Sequence, residues 1–222
     1  YAMGLNSHTI TGYKINASTG ALTGVPTTTG RTGVAGIAFT TGLAPVRFTP
    51  KNAYVTNLLA NTVTSYSIDA STGLLANIGT IGTGNDPSAI AVDPSSRYAY
   101  VTNQFDNTLW SYSIDATTGA LSANTFSEAT GVSPYSVATH IGGKLVYAPS
   151  FDSHDVRAYK INSSGWATLM STESLTISGP EGIAIDPSGR FVLTAKSLDN
   201  DVESFTIDDF TFGDLTGTGA VA

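Results

Sequence analysis

Residues 87–115 read PSAIAVDPSSRYAYVTNQFDNTLWSYSID. Apolar residues alternate with small or polar ones in short runs along this stretch, and turn-forming residues such as Asp93-Pro94-Ser95-Ser96 separate the runs. Alternation with a period of two between turn signals is typical of β-strands. We therefore predict strands over residues 88–92, 98–103 and 108–114, followed by a fourth strand over residues 121–126.

The stretch is one copy of a repeat. The tetrapeptide YVTN at residues 54–57 recurs at residues 100–103, which is a spacing of 46. The same register continues to Tyr147 and Leu193, and it reaches back to Tyr1 when an insertion of about seven residues is allowed. The chain thus holds repeat units that start near residues 1, 54, 100, 147 and 193.

A unit of this size fits one blade of a β-propeller, a sheet of four antiparallel strands in roughly 40 to 50 residues. We predict an all-β protein with a single domain over residues 1–222, a propeller of about five blades. In a closed ring, residues 220–222 would begin the innermost strand of the blade that Tyr1 starts, so that both termini share one sheet. The alternative is a fragment of a seven-bladed propeller.

One innermost strand has two candidate positions. Between Gly20 and Tyr54, either residues 36–39 or residues 46–48 fit the pattern. We favour residues 46–48, because Phe48-Thr49-Pro50 precedes Tyr54 much as Val92-Asp93-Pro94 precedes Tyr100. Residues 31–41 would then form an extra strand or a long loop.

The third strand of each unit indicates how blades pack. Tyr66 and Ile68 alternate with Ser65 and Ser67, and the later units repeat the pattern. Side chains of a strand point alternately to its two faces, so we expect a bulky face that packs on the small face of the next blade. A lone blade would expose the aromatic face to water, so stacking is required.

Composition excludes several classes of protein. Of 222 residues, 41% are hydrophobic and 12% are charged, a balance that argues against disorder. The absence of cysteine excludes disulfides and cysteine-ligated metals, and no apolar run is long enough for a transmembrane helix. The ten basic residues are scattered and the net charge is −7, so we expect no nucleic-acid partner. Richness in Thr, Gly, Ser and Asn with few Lys favours an extracytoplasmic location. The start at Tyr1 fits either a removed signal segment or a sequence that begins inside a longer protein.

The repeat resembles a known family. The motifs Tyr-Val-Thr-Asn, Asn-Thr-Val or Asn-Thr-Leu, Tyr-Ser-Ile-Asp and Ile-Ala-Val-Asp-Pro-Ser-Ser-Arg-Tyr are similar to the YVTN β-propeller repeat, most closely over residues 51–112. Proteins with such repeats include lactonases with six-phosphogluconolactonase-like members, usually seven-bladed, and surface-layer and secreted proteins without known chemistry. The resemblance implies the propeller scaffold, and such a scaffold hosts unrelated functions.

The resemblance also points to candidate site residues. In the lactonase-like group, Pro-His or Pro-Arg often precedes the innermost strand and places a polar side chain near the central channel. The matching positions here carry neither His nor Arg, and they are Ser88, Tyr135, Glu181 and Val46. We take these four as candidate ligand-binding residues. Glu181 is the candidate catalytic residue, as an acid or base in the channel, and Tyr135 stacks on a ligand ring or plugs the channel.

A ring of equivalent turn positions raises the question of a metal site. These positions are His8, Asn61, Asn107, His154 and Asn200, with several Asp residues beside them. Asn is common in hairpin turns because it tolerates left-handed backbone, and two His residues are too few ligands for a metal. We therefore predict turn chemistry here, and neither a metal nor a cofactor.

Two functions remain open at this point. The first is a non-enzymatic extracytoplasmic scaffold that binds a protein or small ligand on a propeller rim. The alternative is a lactonase-like hydrolase acting on a sugar lactone in the central channel. We expect a monomer if the ring closes, and self-association through blade edges if it does not.

Overall fold

The structure is a computed structural model that describes residues 50–175, 179–198, 200–207 and 215–221. Within residues 1–49 it describes the backbone of six strands, and no side chains are described there or at residues 123–125 and 218–221. Chain order defines blades 1 to 5. The strands of blade 1 form two small sheets, and they are β1 (Ala2–Gly4), β2 (Thr9–Thr11), β3 (Tyr13–Ile15), β4 (Leu22–Gly24) and β5 (Thr28–Thr29).

Blades 2 to 5 are four-stranded antiparallel sheets in which the strands neighbour one another in chain order. Blade 2 comprises β6 (Val34–Phe39), β7 (Asn52–Asn57), β8 (Thr62–Ile68) and β9 (Leu75–Gly82), with a 3-10 turn at Leu58–Ala60. Blade 3 comprises β10 (Pro87–Val92), β11 (Tyr98–Asn103), β12 (Thr108–Ile114) and β13 (Leu121–Ala129). Blade 4 comprises β14 (Ala138–Thr139), β15 (Leu145–Ser150), β16 (Asp155–Ile161) and β17 (Ala167–Ser174). Blade 5 comprises β18 (Pro180–Ile185), β19 (Phe191–Lys196), β20 (Asp201–Ile207) and β21 (Leu215–Val221).

This architecture confirms the all-β propeller prediction. Successive blades contact one another through their inner strands, as β6 does with β10 and β15 with β18, and through their outer strands. The strands predicted in blade 3 match β10, β11 and β12 to within one residue, and β13 is three residues longer than expected. In blade 1, Gly4 pairs with Thr9 where Asn57 pairs with Thr62 in blade 2, as the repeat register requires.

The preference for residues 46–48 as an innermost strand is wrong. The strand that pairs with β7 is β6, in which Ala38 lies opposite Tyr54 as Ala91 lies opposite Tyr100 in blade 3. Twelve residues, 40–51, connect β6 to β7, whereas five residues, 93–97, make the same connection in blade 3. The seven-residue insertion therefore falls in this connection. The innermost strand ends at Phe39, so Phe48-Thr49-Pro50 resembles the end of a strand in sequence only.

The predicted seam at the C-terminus is also wrong. Val221 pairs with Val202 and Ala220 with Glu203, so these residues continue β21, the outermost strand of blade 5. They are not the start of an innermost strand for blade 1.

Blades 2, 3 and 4 have a tyrosine on both faces, where the alternation predicted one bulky face and one small face. Ser65 lies opposite Tyr54 and Ala53 lies opposite Tyr66, so each of the two tyrosines is paired with a small side chain on the neighbouring strand. Tyr54 is 0% exposed and Tyr66 is 3% exposed. The third strand alone could not reveal this, because the tyrosine on its small face comes from the second strand.

These tyrosines join neighbouring blades through their hydroxyls. From the second strand, Tyr54 donates to the Gly119 carbonyl in blade 3 at 2.8 Å, and Tyr100 donates to the Gly165 carbonyl in blade 4 at 3.1 Å. The tyrosine of the third strand contacts the preceding blade. Tyr112 donates to the Gly82 carbonyl at 3.0 Å, and Tyr159 donates to the Ala129 carbonyl at 3.0 Å. Burial raises the pKa of all four, that of Tyr112 to about 12.

Candidate functional site

The two ends of the blades form two rims with different chemistry. The upper rim carries the turns between second and third strands and the linkers that lead into each innermost strand. The lower rim carries the turns between first and second strands and those between third and fourth strands. Ser88, Tyr135 and Glu181 all lie on the upper rim, where the innermost strands of a propeller surround its central channel.

A β-bulge places Ser88 and Glu181 near the start of their innermost strands, and an equivalent shift lies beside Tyr135, three residues before β14. The ladder register shifts by one residue between Pro87 and Ala89 and between Pro180 and Gly182. The same shift separates the pair Pro134–Ser150 from the pair Ala138–Tyr147. The extra residue of a bulge is left out of the ladder, so its side chain is aimed independently of the strand. In blade 2 the equivalent shift lies between Val34 and Gly36, so Ala35 holds this register position, while Val46 lies outside the described residues.

Ser88 is occupied by contacts that hold two blades together. Its half-buried hydroxyl donates to the Pro134 carbonyl at 2.7 Å and lies 3.0 Å from Thr102 Oγ1. A serine nucleophile needs an adjacent base, and none of these partners is one. The hydroxyl of Ser88 therefore fixes the start of blade 4 relative to blade 3.

Tyr135 stands at the surface of the upper rim. It is 39% exposed, and its hydroxyl accepts a hydrogen bond from Gln104 Nε2 at 2.8 Å. Its ring meets the ring of Phe151 edge to face, with 5.5 Å between centroids. Both contacts come from hairpin turns of blades 3 and 4, so the ring is held in place while one part of it stays open to solvent.

Glu181 has one carboxylate oxygen held and one free. Ser197 Oγ, in the hairpin turn of blade 5, donates to Glu181 Oε1 at 2.9 Å. Among the residues that the structure describes, Oε2 has no hydrogen-bond partner, and the side chain is exposed. This arrangement orients the carboxylate and leaves an acceptor directed at solvent, as a general base that activates water requires.

Beneath the upper rim, blade 5 contains a buried group of charges that the sequence did not reveal. Lys196 is 4% exposed, and its Nζ lies 3.2 Å from Asp201 Oδ1 and 3.1 Å from Glu203 Oε2. Blades 2 and 3 have the neutral amides of Asn57 and Asn103 at the equivalent position, hydrogen-bonded to nearby threonines. Repeat alignment shows the substitution, but its burial becomes evident only in the packed blade.

The positions that were considered for a metal site and predicted to be turns adopt the expected backbone. Asn61, Asn107, His154 and Asn200 have φ values of 53°, 54°, 54° and 57°, in the left-handed region. His8 lies outside the described residues. In the described part of the chain, no three His, Asp or Glu side chains are grouped so as to hold a metal ion. Nor does any described helix have the length and apolarity to cross a membrane.

On the lower rim, acidic side chains serve the turns themselves. Asp69 Oδ1 accepts hydrogen bonds from the hydroxyls and backbone amides of Ser71 and Thr72. The Ser71 hydroxyl, followed by the other three donors, lowers the pKa of Asp69 well below its usual range. Asp115 and Asp186 form similar turns, so these carboxylates have structural partners and are poor candidates for a site.

Comparison with known proteins supports one family. The family described as "Lactonase, 7-bladed beta-propeller" matches residues 5–172. No functionally curated protein matches the chain.

Solved structures share the fold at low identity. A candidate 6-phosphogluconolactonase from Bacteroides uniformis has a TM-score of 0.82 at 16% identity, over 97% of this chain and 65% of that one. A second candidate 6-phosphogluconolactonase, from Bacteroides fragilis, has a TM-score of 0.74 at 18% identity, over 96% of this chain and 64% of that one. The periplasmic gluconolactonase of Pseudomonas aeruginosa has a TM-score of 0.57 at 15% identity, over 95% of this chain and 78% of that one. The chain thus spans about 65% of the length of the first of these structures.

Proposed function

This chain belongs to the Lactonase, 7-bladed beta-propeller family, and from that premise we propose that it is a lactone hydrolase that opens a sugar lactone at the upper rim, beside the central channel. The observation that carries the proposal is the family match over residues 5–172. Solved propellers named as gluconolactonase or candidate 6-phosphogluconolactonase support the choice of a sugar lactone as substrate. This proposal favours the hydrolase over the scaffold.

In the proposed mechanism, Glu181 acts as a general base. Its free Oε2 takes a proton from a water molecule as the water oxygen attacks the lactone carbonyl carbon. The tetrahedral intermediate then collapses, the bond between the carbonyl carbon and the ring oxygen breaks, and Glu181 returns the proton to that oxygen. The product is a hydroxy acid, and the carboxylate is regenerated. Ser197 acts as a positioning residue, because its hydrogen bond fixes the orientation of the carboxylate.

The test is a lactonase assay with matched variants. Hydrolysis of glucono-δ-lactone and of an aliphatic lactone is followed by acid release in a pH-stat, against the spontaneous rate. We expect Glu181→Gln to lower the rate by about 10²-fold or more, as loss of a general base does. Asp152→Asn removes the same charge from the same rim and should leave the rate unchanged. Equal rates in the wild type and Glu181→Gln, or no turnover above the spontaneous rate, would contradict the proposal.

The scaffold remains the second candidate, and one observation favours it. The hydroxyls of Ser88 and Tyr135 are already engaged within the protein, which suits a surface built for rigidity. Absence of turnover with all lactones would support the scaffold. We also retain the proposal of an extracytoplasmic location, which rests on composition and is tested by fractionating cells that express the full natural protein.

A further inference from the structure

A groove on the upper rim, at the junction of blades 2 and 3, is lined by none of the residues used in the proposed hydrolysis. Its volume is about 330 Å³, and it is lined by Leu58, Leu59, Asn61, Asn85, Asp86 and Phe105. Phe105 is 77% exposed and Leu59 is 68% exposed, more than any other large apolar side chain in the described part of the chain. Apolar groups this exposed on a rigid rim are a feature of binding surfaces.

Hydrogen bonds hold the walls of this groove in place without a ligand. Asn61 Nδ2 donates to Asn85 Oδ1 at 2.9 Å, and Asn61 Oδ1 accepts from the Asp86 backbone amide at 3.0 Å. Asn85 donates through its backbone amide and its Nδ2 to the two oxygens of Asp106, at 2.7 and 2.8 Å. Because both oxygens of Asp106 have donors, that carboxylate is already paired.

The Asp86 carboxylate lines the groove and has no such partner. No hydrogen bond or ion pair reaches its side chain from any residue that the structure describes. Its backbone is fixed in the left-handed region, with φ of 59°, and partial burial raises its pKa. The groove therefore combines an apolar wall with one uncompensated carboxylate.

The other two described junctions do not share this feature. Ser133 and Gly179 occupy the equivalent linker position, each with positive φ and with a backbone amide bonded to the neighbouring hairpin. At the junction of blades 3 and 4, Ser133 Oγ donates to Asp152 Oδ2 at 2.5 Å, so the acid there is paired. At the junction of blades 4 and 5, Gly179 has no side chain at all.

We propose that this groove binds a small organic cation, with its ammonium group on the Asp86 carboxylate and its apolar body on Phe105 and Leu59. A charge-assisted hydrogen bond and the electron-rich face of an aromatic ring are what such a cation recognises. An anion is disfavoured by Asp86, Asp106 and the net charge of −7. A hard metal ion needs several oxygen ligands, whereas the side-chain oxygens of Asn61, Asn85 and Asp106 are engaged.

The test compares a cation with its neutral analogue. Phenethylammonium and 2-phenylethanol are titrated separately into the whole chain by isothermal titration calorimetry, with amide chemical shifts locating the site. We expect phenethylammonium to bind at least about tenfold more tightly than 2-phenylethanol, since one charge-assisted contact is worth that factor or more. Equal affinity for the two compounds, or no binding of phenethylammonium, would overturn the proposal.

Variants separate the role of Asp86 from that of net charge. Asp86→Asn keeps a residue that tolerates positive φ, and it should weaken phenethylammonium binding by about tenfold while leaving the melting temperature unchanged. Phe105→Ala should weaken binding of both compounds.

Asp152→Asn, with the same change of charge at the equivalent junction, should have no effect. A loss of affinity in Asp152→Asn as large as in Asp86→Asn would refute the specific site. Because none of these residues is used in the proposed hydrolysis, either proposal can fail alone.

Discussion

The two rims of this propeller differ in their acidic residues, because the upper rim has carboxylates with free oxygens in addition to the paired Asp106 and Asp152. On the lower rim, Asp69, Asp115 and Asp186 accept hydrogen bonds from the amides and hydroxyls of their own turns. On the upper rim, Glu181 keeps one free oxygen and Asp86 keeps both, and the two most exposed large apolar side chains lie beside Asp86. The lower-rim carboxylates serve turns that recur from blade to blade. Binding and chemistry are therefore expected where the repeats differ, on the upper rim.

The largest expected effect comes from substituting a buried residue near the upper rim that has a structural role, which tests whether charges there also serve the fold. Lys196→Met leaves the carboxylates of Asp201 and Glu203 close together and without their shared cation. We expect the free energy of unfolding to fall by about 3–5 kcal/mol, the typical cost of removing one partner from a buried ion pair. Urea denaturation measures it.

Two further variants control this prediction. Lys144→Met, an exposed lysine on the lower rim, should change stability by less than about 0.5 kcal/mol. A triple variant, Lys196→Met with Asp201→Asn and Glu203→Gln, should regain part of the loss because no charge is left unpaired. A triple variant no more stable than the single variant would show that packing, not charge, keeps Lys196 in place.

A glycine of the lower rim is expected to have a smaller effect, again on stability. Gly165 has φ of 82°, and a Cβ added there would lie 2.2 Å from the Tyr98 ring. Gly165→Ala should lower the free energy of unfolding by about 1–3 kcal/mol and leave binding at the upper rim intact. Thermal denaturation measures the loss. Gly82→Ala, where no atom lies within 4 Å of the added Cβ, is the matched control, and an equal loss there would contradict the explanation.

The smallest expected effect is a decrease in the stability of the fold at low pH. Hydrogen bonds, first from the Ser188 hydroxyl and then from backbone amides, lower the pKa of Asp186 to about 2. Because the folded-state pKa lies below the unfolded value, this group stabilises the fold above about pH 4, and the contribution is lost as the pH falls towards 2. The melting temperature should therefore decline over this range, and less steeply in Asp186→Asn. Identical slopes in the two proteins would remove Asp186 from the explanation.

The sequence predicted the fold through its repeat and missed what depends on neighbouring strands. Blade 3 could be placed almost to the residue because Asp93-Pro94 and Asn107 mark its turns. For blade 2, the candidate at residues 36–39, which lies in β6, was passed over because Phe48-Thr49-Pro50 resembles such a turn. The tyrosine that covers the small face of the third strand was missed, because it comes from the second strand and the alternation was considered within one strand only.

For the candidate site, the sequence specified register positions but not their surroundings. Aligned repeats placed Ser88, Tyr135 and Glu181 at equivalent positions. The strand pairing agrees, because the proline before each of them pairs with the equivalent residue of the second strand. Their roles stay predictions. Asp86 was overlooked, although aligning it with Ser133 and Gly179 would have shown a linker position where every blade differs. That Asp86 lacks a partner and shares a groove with Phe105 becomes evident only in the packed blades, which no single repeat reveals.

The tyrosine hydroxyls have a consequence for how such chains change over evolution. At two successive junctions, the second-strand tyrosine reaches the glycine carbonyl 65 positions ahead, and the third-strand tyrosine reaches a carbonyl 30 positions behind. These two junctions are therefore built from the same donors and acceptors. At the junction of blades 4 and 5 the third-strand residue is Phe205, which has no hydroxyl to donate. Duplication or loss of a blade of the kind found at positions 2 to 4 would bring together surfaces that already fit, so blade number could change by recombination without a new interface being evolved.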